Sequence, residues 1–262
     1  MKPLRIIGAA FLAALAFQAQ AVGRSADVTI VDRSSGRELP VYWHDGRAYV
    51  VGNPGNQYQV SVRSRMGEDL LAVVSVDGIN VMNGETASPD QSGYIVSPWR
   101  RIDIRGWRKS MNDIAAFYFT SLGDSYAART DRPQNVGVIG VALFQRKRYY
   151  EPSYEGAAPA PFDNRLKSER SDAQRPMAPE ASAQEKSYAP PSAPLGTGHG
   201  RREESRVTWV DFDRADAPAE TITIYYDSYR NLVARGILPQ PSYGRRHPDP
   251  FPNTAFAPDP WR

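Results

Sequence analysis

The chain has 262 residues, with no cysteine, 32 Lys and Arg, and 29 Asp and Glu. Without cysteine there is no disulfide, no thiolate metal ligand and no acylated lipoprotein anchor, so any core must hold by burial alone. Setting aside Lys2 and Arg5 in the leader described next leaves 30 basic residues against 29 acidic ones, too small an excess to steer the chain toward nucleic acid.

The leader comes first. Lys2 and Arg5 precede "IIGAAFLAALAF" (Ile6 to Phe17), an apolar run too short to span a bilayer. "AQA" (Ala19 to Ala21) follows, with small residues at the two positions a signal peptidase reads. Residues 1–21 therefore read as a secretory signal peptide cut after Ala21. No later stretch is long and apolar enough for a membrane helix, so the expectation is a soluble protein of the periplasm or the extracellular space.

Residues 26–146 carry short Val, Ile, Tyr and Phe runs punctuated by Gly, Asn, Asp and Pro. The runs predict strands at Asp27–Asp32, Arg47–Val51, Gln57–Ser64, Leu70–Val76 and Ile79–Asn83. Further strands are predicted at Gly93–Ser97, Arg101–Trp107, Ile114–Thr120 and Val136–Phe144. No long stretch here sustains a helical period. The fold class expected is mainly β, an antiparallel β-sandwich.

Within this region, "VDGINVMNG" (Val76 to Gly84) places Asp-Gly between two apolar runs, the pattern of a two-residue hairpin turn. That register puts Val74, Val76, Ile79 and Val81 on one apolar face, which a one-residue slip would destroy. The turn explains Asp77 without a ligand, and on that reading Asn at position 77 would serve as well.

Residues 147–205 change character. They are rich in Pro, Ala, Ser, Gln and charge, and read as a long flexible segment that cannot bury enough apolar surface to order itself. Structure is expected to resume over 206–237. Strands are predicted at Arg206–Phe212 and Thr221–Asp227, then a helix in "DSYRNLVARG" capped by Asp227 and ended by Gly236. This strand–strand–helix element is too small to stand alone and too apolar to stay in water, so it should dock on an edge or face of the sandwich. Residues 238–262 read as a Pro-rich disordered tail.

Little in the chain points to catalysis. "GDSYA" (Gly123 to Ala127) resembles the nucleophile turn of a serine hydrolase, with Ser125 as the attacking residue and Gly123 and Asp124 before it. A serine nucleophile needs a base and an orienting acid. The histidines are His44, His199 and His247, and the positions three residues before them, Val41, Gly196 and Gly244, carry no Asp. "GTGHG" (Gly196 to Gly200) has the composition of a phosphate loop but lacks the strand before it and the helix after it, and reads as flexible. His199 with Glu203 and Glu204 lacks the second His or Cys of a metal site. No cofactor pattern is found. The best binding candidate is "SPWRRIDIRGWRK" (Ser97 to Lys109), where Trp99, Arg101, Arg105 and Trp107 combine the residue types that anchor interfaces and stack on sugars. The competing reading is a solvated charged face of a sheet.

"VSVDGINVMNG", "SGYIVSPW", "DIRGWR", "AAFYFTS", "DSYAA", "VGVIGVALF", "GTGHGRREES" and "YYDSYRNLVARGI" together resemble a group of exported bacterial proteins of uncharacterised activity. The resemblance implies that the C-terminal strands and helix form one unit with the sandwich, and it carries no activity or site. The functional expectation is a non-catalytic envelope protein that binds a protein or glycan partner. The alternatives are a hydrolase built on Ser125 or a structural subunit of a surface assembly.

Overall fold

β-Branched and aromatic residues build strands along most of the chain in the computed structural model, which describes residues 21–148 and 193–240. Residues 1–20, which hold most of the segment read as a signal peptide, residues 149–192 of the Pro-rich segment and residues 241–262 of the expected tail lie outside the described residues. The elements are β1 (Ala26–Asp32), β2 (Arg37–Glu38), β3 (Val41–His44), β4 (Arg47–Val51) and β5 (Tyr58–Ser64). Then come β6 (Leu70–Val76), β7 (Ile79–Asn80), β8 (Tyr94–Val96), β9 (Arg101–Ile104), β10 (Gly106–Arg108) and β11 (Asp113–Ser121). After α1 (Tyr126–Arg129) follow β12 (Val138–Gln145), β13 (Leu195–Glu204), β14 (Glu220–Asp227) and α2 (Tyr229–Ala234).

The protein is mainly β, as its alternating runs predict. Three sheets form, ordered β2-β1-β5-β9, β10-β11-β13 and β3-β4-β14-β12-β6-β7, with β8 also paired to β6. All pairings are antiparallel except β4 with β14. One hydrophobic core gathers side chains from all three sheets, including Val28, Val60, Val76, Phe117, Phe119 and Ile224. Burying each such side chain contributes on the order of 1.5–3 kcal/mol, which is what a chain without disulfides relies on.

Around β6 the largest sheet is covered on both faces, which explains why "LLAVVSV" reads as a continuous apolar run rather than an alternation. One face of β6 joins the main core. On the other, Leu71 and Val73 pack with Ala142 and Phe144 under Ile95 and Phe212. Further along the sheet, α2 covers Tyr49 with Leu232, and Leu238 joins them. Among the described residues no helix is long and apolar enough to cross a membrane.

Several expectations need correction. The flexible reading of 147–205 fails at its C-terminal end, where Leu195–Glu204 is a ten-residue strand paired along β11. Its glycines are there because neighbours fill the space: a Cβ on Gly198 would lie 2.2 Å from the Tyr118 ring, and one on Gly196 2.6 Å from Ser125 Cβ. Conversely, the strand expected at Arg206–Phe212 has no regular structure. Trp209 and Val210 are consecutive apolar residues, and a period of two cannot send both to the same side.

The strand expected over Arg101–Trp107 breaks at Arg105. Its first half pairs with β5 and its second with β11, so the chain changes sheets there. The strand expected at Ile79–Asn83 stops after two residues, although Val81 still donates to the Val74 carbonyl at 3.1 Å. β3 was missed because "VYWH" is short and does not alternate. The C-terminal element does pack with the sandwich, but β14 does not cap an edge. It lies inside the largest sheet, between β4 and β12. Ser228, not Asp227, caps α2, accepting from the Asn231 N–H at 3.3 Å. Gly236 follows the helix at φ +71°, as expected.

A groove beneath a pinned strap

Residues 205–214 run as an extended strap across the outer face of the large sheet. At one end Ser205 N–H donates to the Asn112 carbonyl at 2.7 Å and Val207 N–H to Met111 at 2.9 Å. At the other, Lys147 N–H donates to the Asp213 carbonyl at 2.8 Å and Ala215 N–H to Gln145 at 2.9 Å. Between the pins, 208–211 make no backbone hydrogen bond among the described residues, and all four are exposed. Trp209 is 68 % exposed and Val210 59 %. Such apolar surface is unusual to leave in water on a segment held at both ends.

Between this strap and strands β8 and β9 lies a groove of about 770 Å3. Its floor includes Tyr94, Ile95, Ile102 and Ile104, and Trp209 and Phe212 stand on the strap side. Five arginines line it: Arg105, Arg108, Arg146, Arg206 and Arg214. Several are fixed by their own contacts. Arg108 donates to the Ser205 carbonyl, to Ser205 Oγ at 3.2 Å and to Tyr94 Oη at 3.1 Å. Arg105 donates to the Glu204 carbonyl at 3.2 Å. Arg214 holds the carbonyls of Pro89, Asp90 and Gln91, and its guanidinium lies 4.9 Å from the Phe144 ring centroid. Arg146 sits 4.5 Å from the Phe212 ring centroid and 3.6 Å from Asp69.

The charges are not evenly compensated. Arg146 pairs with Asp69, and Arg206 with Glu204 at 2.7 Å. Asp103 is occupied by Arg101 and by Ser61 Oγ at 2.6 Å. Arg105 and Arg108 bind only neutral oxygens, with no carboxylate partner among the described residues. Asp211, exposed on the strap, likewise has no partner among the described residues. Arg214 likewise binds only backbone carbonyls, so among the described residues the groove offers an aromatic platform, three guanidiniums without a carboxylate hydrogen-bond partner, and one carboxylate, Asp211, without a partner.

The four residues singled out from sequence scatter. Arg105 lines the groove. Arg101 sits one step behind it, against Asp103. Trp99 is 63 % exposed, in a left-handed conformation (φ +60°) on the β8–β9 loop, outside the groove lining. Trp107 is no surface residue: it is 2 % exposed, edge-on to Phe117 with ring centroids 5.1 Å apart. The sheet change at Arg105 is the cause, because it ends the alternation that would have kept Trp107 with the exposed arginines. Sequence reasoning missed Arg108, Arg146, Arg206, Trp209 and Arg214. The adjacent exposed pair Trp209-Val210 was the one local signal.

Two polar centres elsewhere are occupied by the fold itself. Ser125 is fully buried and caps α1. Its Oγ donates to the Leu122 carbonyl at 2.7 Å and accepts from Ala128 N–H at 3.1 Å, while His199 lies against Tyr126 instead. Asp77 does form the expected turn, with φ +52° followed by +72° at Gly78. Yet it does more than turn. Its buried carboxylate accepts from Gly137 N–H at 2.9 Å, Thr197 N–H at 2.8 Å and Tyr226 Oη at 2.5 Å. Thr197 Oγ1 lies 2.6 Å from both Tyr226 Oη and Tyr58 Oη, extending the chain of bonds. Burial pushes the Asp77 carboxyl up to about 6 against the pull of these donors. Burial and the Asp77 charge also raise both tyrosines. The expectation that Asn would serve equally at position 77 does not survive three donors aimed at two oxygens. Among the described residues no cluster of His, Asp or Glu could hold a metal ion.

No family model, no curated protein and no solved structure matches this chain.

Proposed function

We propose that the protein is an exported, non-catalytic envelope module that binds its partner in the groove beneath the 205–214 strap. The export reading rests on the basic start, apolar run and "AQA" of residues 1–21. The observation that carries the binding reading is the strap itself. It is pinned at both ends and leaves Trp209 exposed over a groove lined by arginines that neighbouring groups hold in place. A concave site with an aromatic anchor and prearranged polar groups is the usual form of a recognition surface.

The test is affinity capture from an envelope extract with the wild-type protein and with Arg105→Gln, both checked for folding by circular dichroism. A partner retained by the wild type should be lost or strongly depleted with the variant. An identical set of captured species would refute the groove as the binding site.

A further inference from the structure

We propose, building on the groove reading, that the groove takes a carboxylate-bearing polysaccharide, with a sugar ring on the Trp209 indole and its carboxylate on Arg105. Three features of the groove select this chemistry over others. The first is the platform. Trp209 presents most of its surface to solvent on a segment whose ends cannot move away, and an indole face is suited to stacking against the C–H face of a pyranose.

The second is a pair of guanidiniums, Arg105 and Arg108, with no carboxylate partner among the described residues. Arg105 donates to the carbonyl of Glu204, the last residue of β13, and Arg108 to that of Ser205, the first residue of the strap, so both are held at the same end of the strap. Arg108 spends its N–H groups on Tyr94, Ser110 and Ser205, so it contributes charge from a fixed position. Among the described residues Arg105 makes only the bond to Glu204, which leaves the rest of its donor fork for a ligand. A planar fork with a second fixed cation in the same groove matches a carboxylate, which the fork can bind through two parallel bonds.

The third feature separates a glycan from an acidic peptide. Asp211 on the same strap has no partner among the described residues, and Asp103 also lines the groove. Carboxylates need donors. The side chains of an acidic peptide bring acceptors alone, and its only donors are backbone N–H groups that cannot turn to suit the lining. A uronate chain brings one carboxylate per ring together with hydroxyls, each both donor and acceptor. The mixed lining of cation, carboxylate and aromatic ring therefore fits a sugar acid better than an acidic peptide.

The experiment is isothermal calorimetry on the full chain after signal removal, with three probes: a galacturonate hexamer, the neutral maltohexaose, and a hexaglutamate peptide. The galacturonate hexamer should bind, with maltohexaose at least ten-fold weaker. Trp209→Ala and Arg105→Gln should each weaken galacturonate binding at least ten-fold. Both sites are on the surface, and a matching thermal midpoint verifies that the fold is intact. Equal binding of maltohexaose would overturn the carboxylate assignment. Hexaglutamate binding that depends on Trp209, without galacturonate binding, would overturn the glycan and leave the groove as the site of a peptide partner. Galacturonate binding unchanged in both variants would overturn the glycan assignment and the groove together. No binding of any probe would overturn the glycan assignment alone, because capture from the envelope extract judges the groove independently.

Discussion

At the scale of single residues, Asp77 is the most consequential side chain in the protein. A turn needs only its backbone; three buried donors from different parts of the chain need its carboxylate. In Asp77→Asn, one oxygen becomes an NH2 group, so at least one of Gly137 N–H, Thr197 N–H or Tyr226 Oη loses its acceptor. A buried donor left unpaired costs about 1–3 kcal/mol, so the variant should be less stable by roughly 2 kcal/mol in urea denaturation at pH 4, where Asp77 is neutral in the fold and no charge is buried at this site in either protein. An unchanged midpoint would reduce Asp77 to the turn residue that the sequence suggests. The pH dependence has a definite sign. The folded pKa, about 6, lies above the ordinary 3.8, so the stability tied to protonating Asp77 is complete below 3.8. It is lost as pH rises through 6. The wild type should therefore show a component of falling stability between pH 4 and 6 that Asp77→Asn lacks.

At the scale of elements, the corner between β9 and β10 decides which side chains reach the groove. Gly106 begins β10 directly opposite Ala116, and a Cβ there would lie 2.1 Å from the Ala115 carbonyl oxygen, a backbone atom that cannot swing aside. Gly106→Ala should force β10 off β11, expose part of Trp107 and destabilise the protein by about 2 kcal/mol or more, as overpacked sites do. The measurement is thermal unfolding followed by near-ultraviolet circular dichroism, which reads the packing of Trp107. A variant with wild-type stability and an unaltered aromatic spectrum would show that the two strands can part without cost. The same corner holds Arg105, so the turn that buries Trp107 also delivers Arg105 to the strap.

At the scale of the whole molecule, the chain after residue 193 is not an appendage. β13 pairs along β11, and β14 pairs with β4 on one side and β12 on the other. Glu220 also binds the backbone N–H groups of Arg24 and Ser25, tying β14 to the start of the described chain. A specific protease site engineered at position 170 should, after cleavage, leave two fragments that co-elute on gel filtration without denaturant. Neither half should fold when expressed alone, because removing β14 opens the largest sheet through its middle. Fragments that separate while each remains folded would establish two independent domains instead.

Composition and periodicity were enough for the class of the molecule. Val-, Ile- and Tyr-rich runs marked β1, β4, β5, β6, β11, β12 and β14 close to their observed bounds, because each of these strands must keep at least one face apolar to join the core. The Asp77-Gly78 turn and the Gly236 helix stop were equally legible, since each depends on backbone conformations that only a few residue types adopt. What the sequence could not carry was anything set by a distant neighbour. "GTGHG" looks flexible until Tyr118 and Ser125 occupy the space its glycines leave open. "RVTWVDF" looks like a strand, but its backbone partners lie only at its ends, and its middle arches over a groove. Asp77 looks like a turn residue because Gly137, Thr197 and Tyr226 lie 60, 120 and 149 positions away. The groove shares that origin: it draws together residues from 69 to 214, and only tertiary packing brings their side chains to one place.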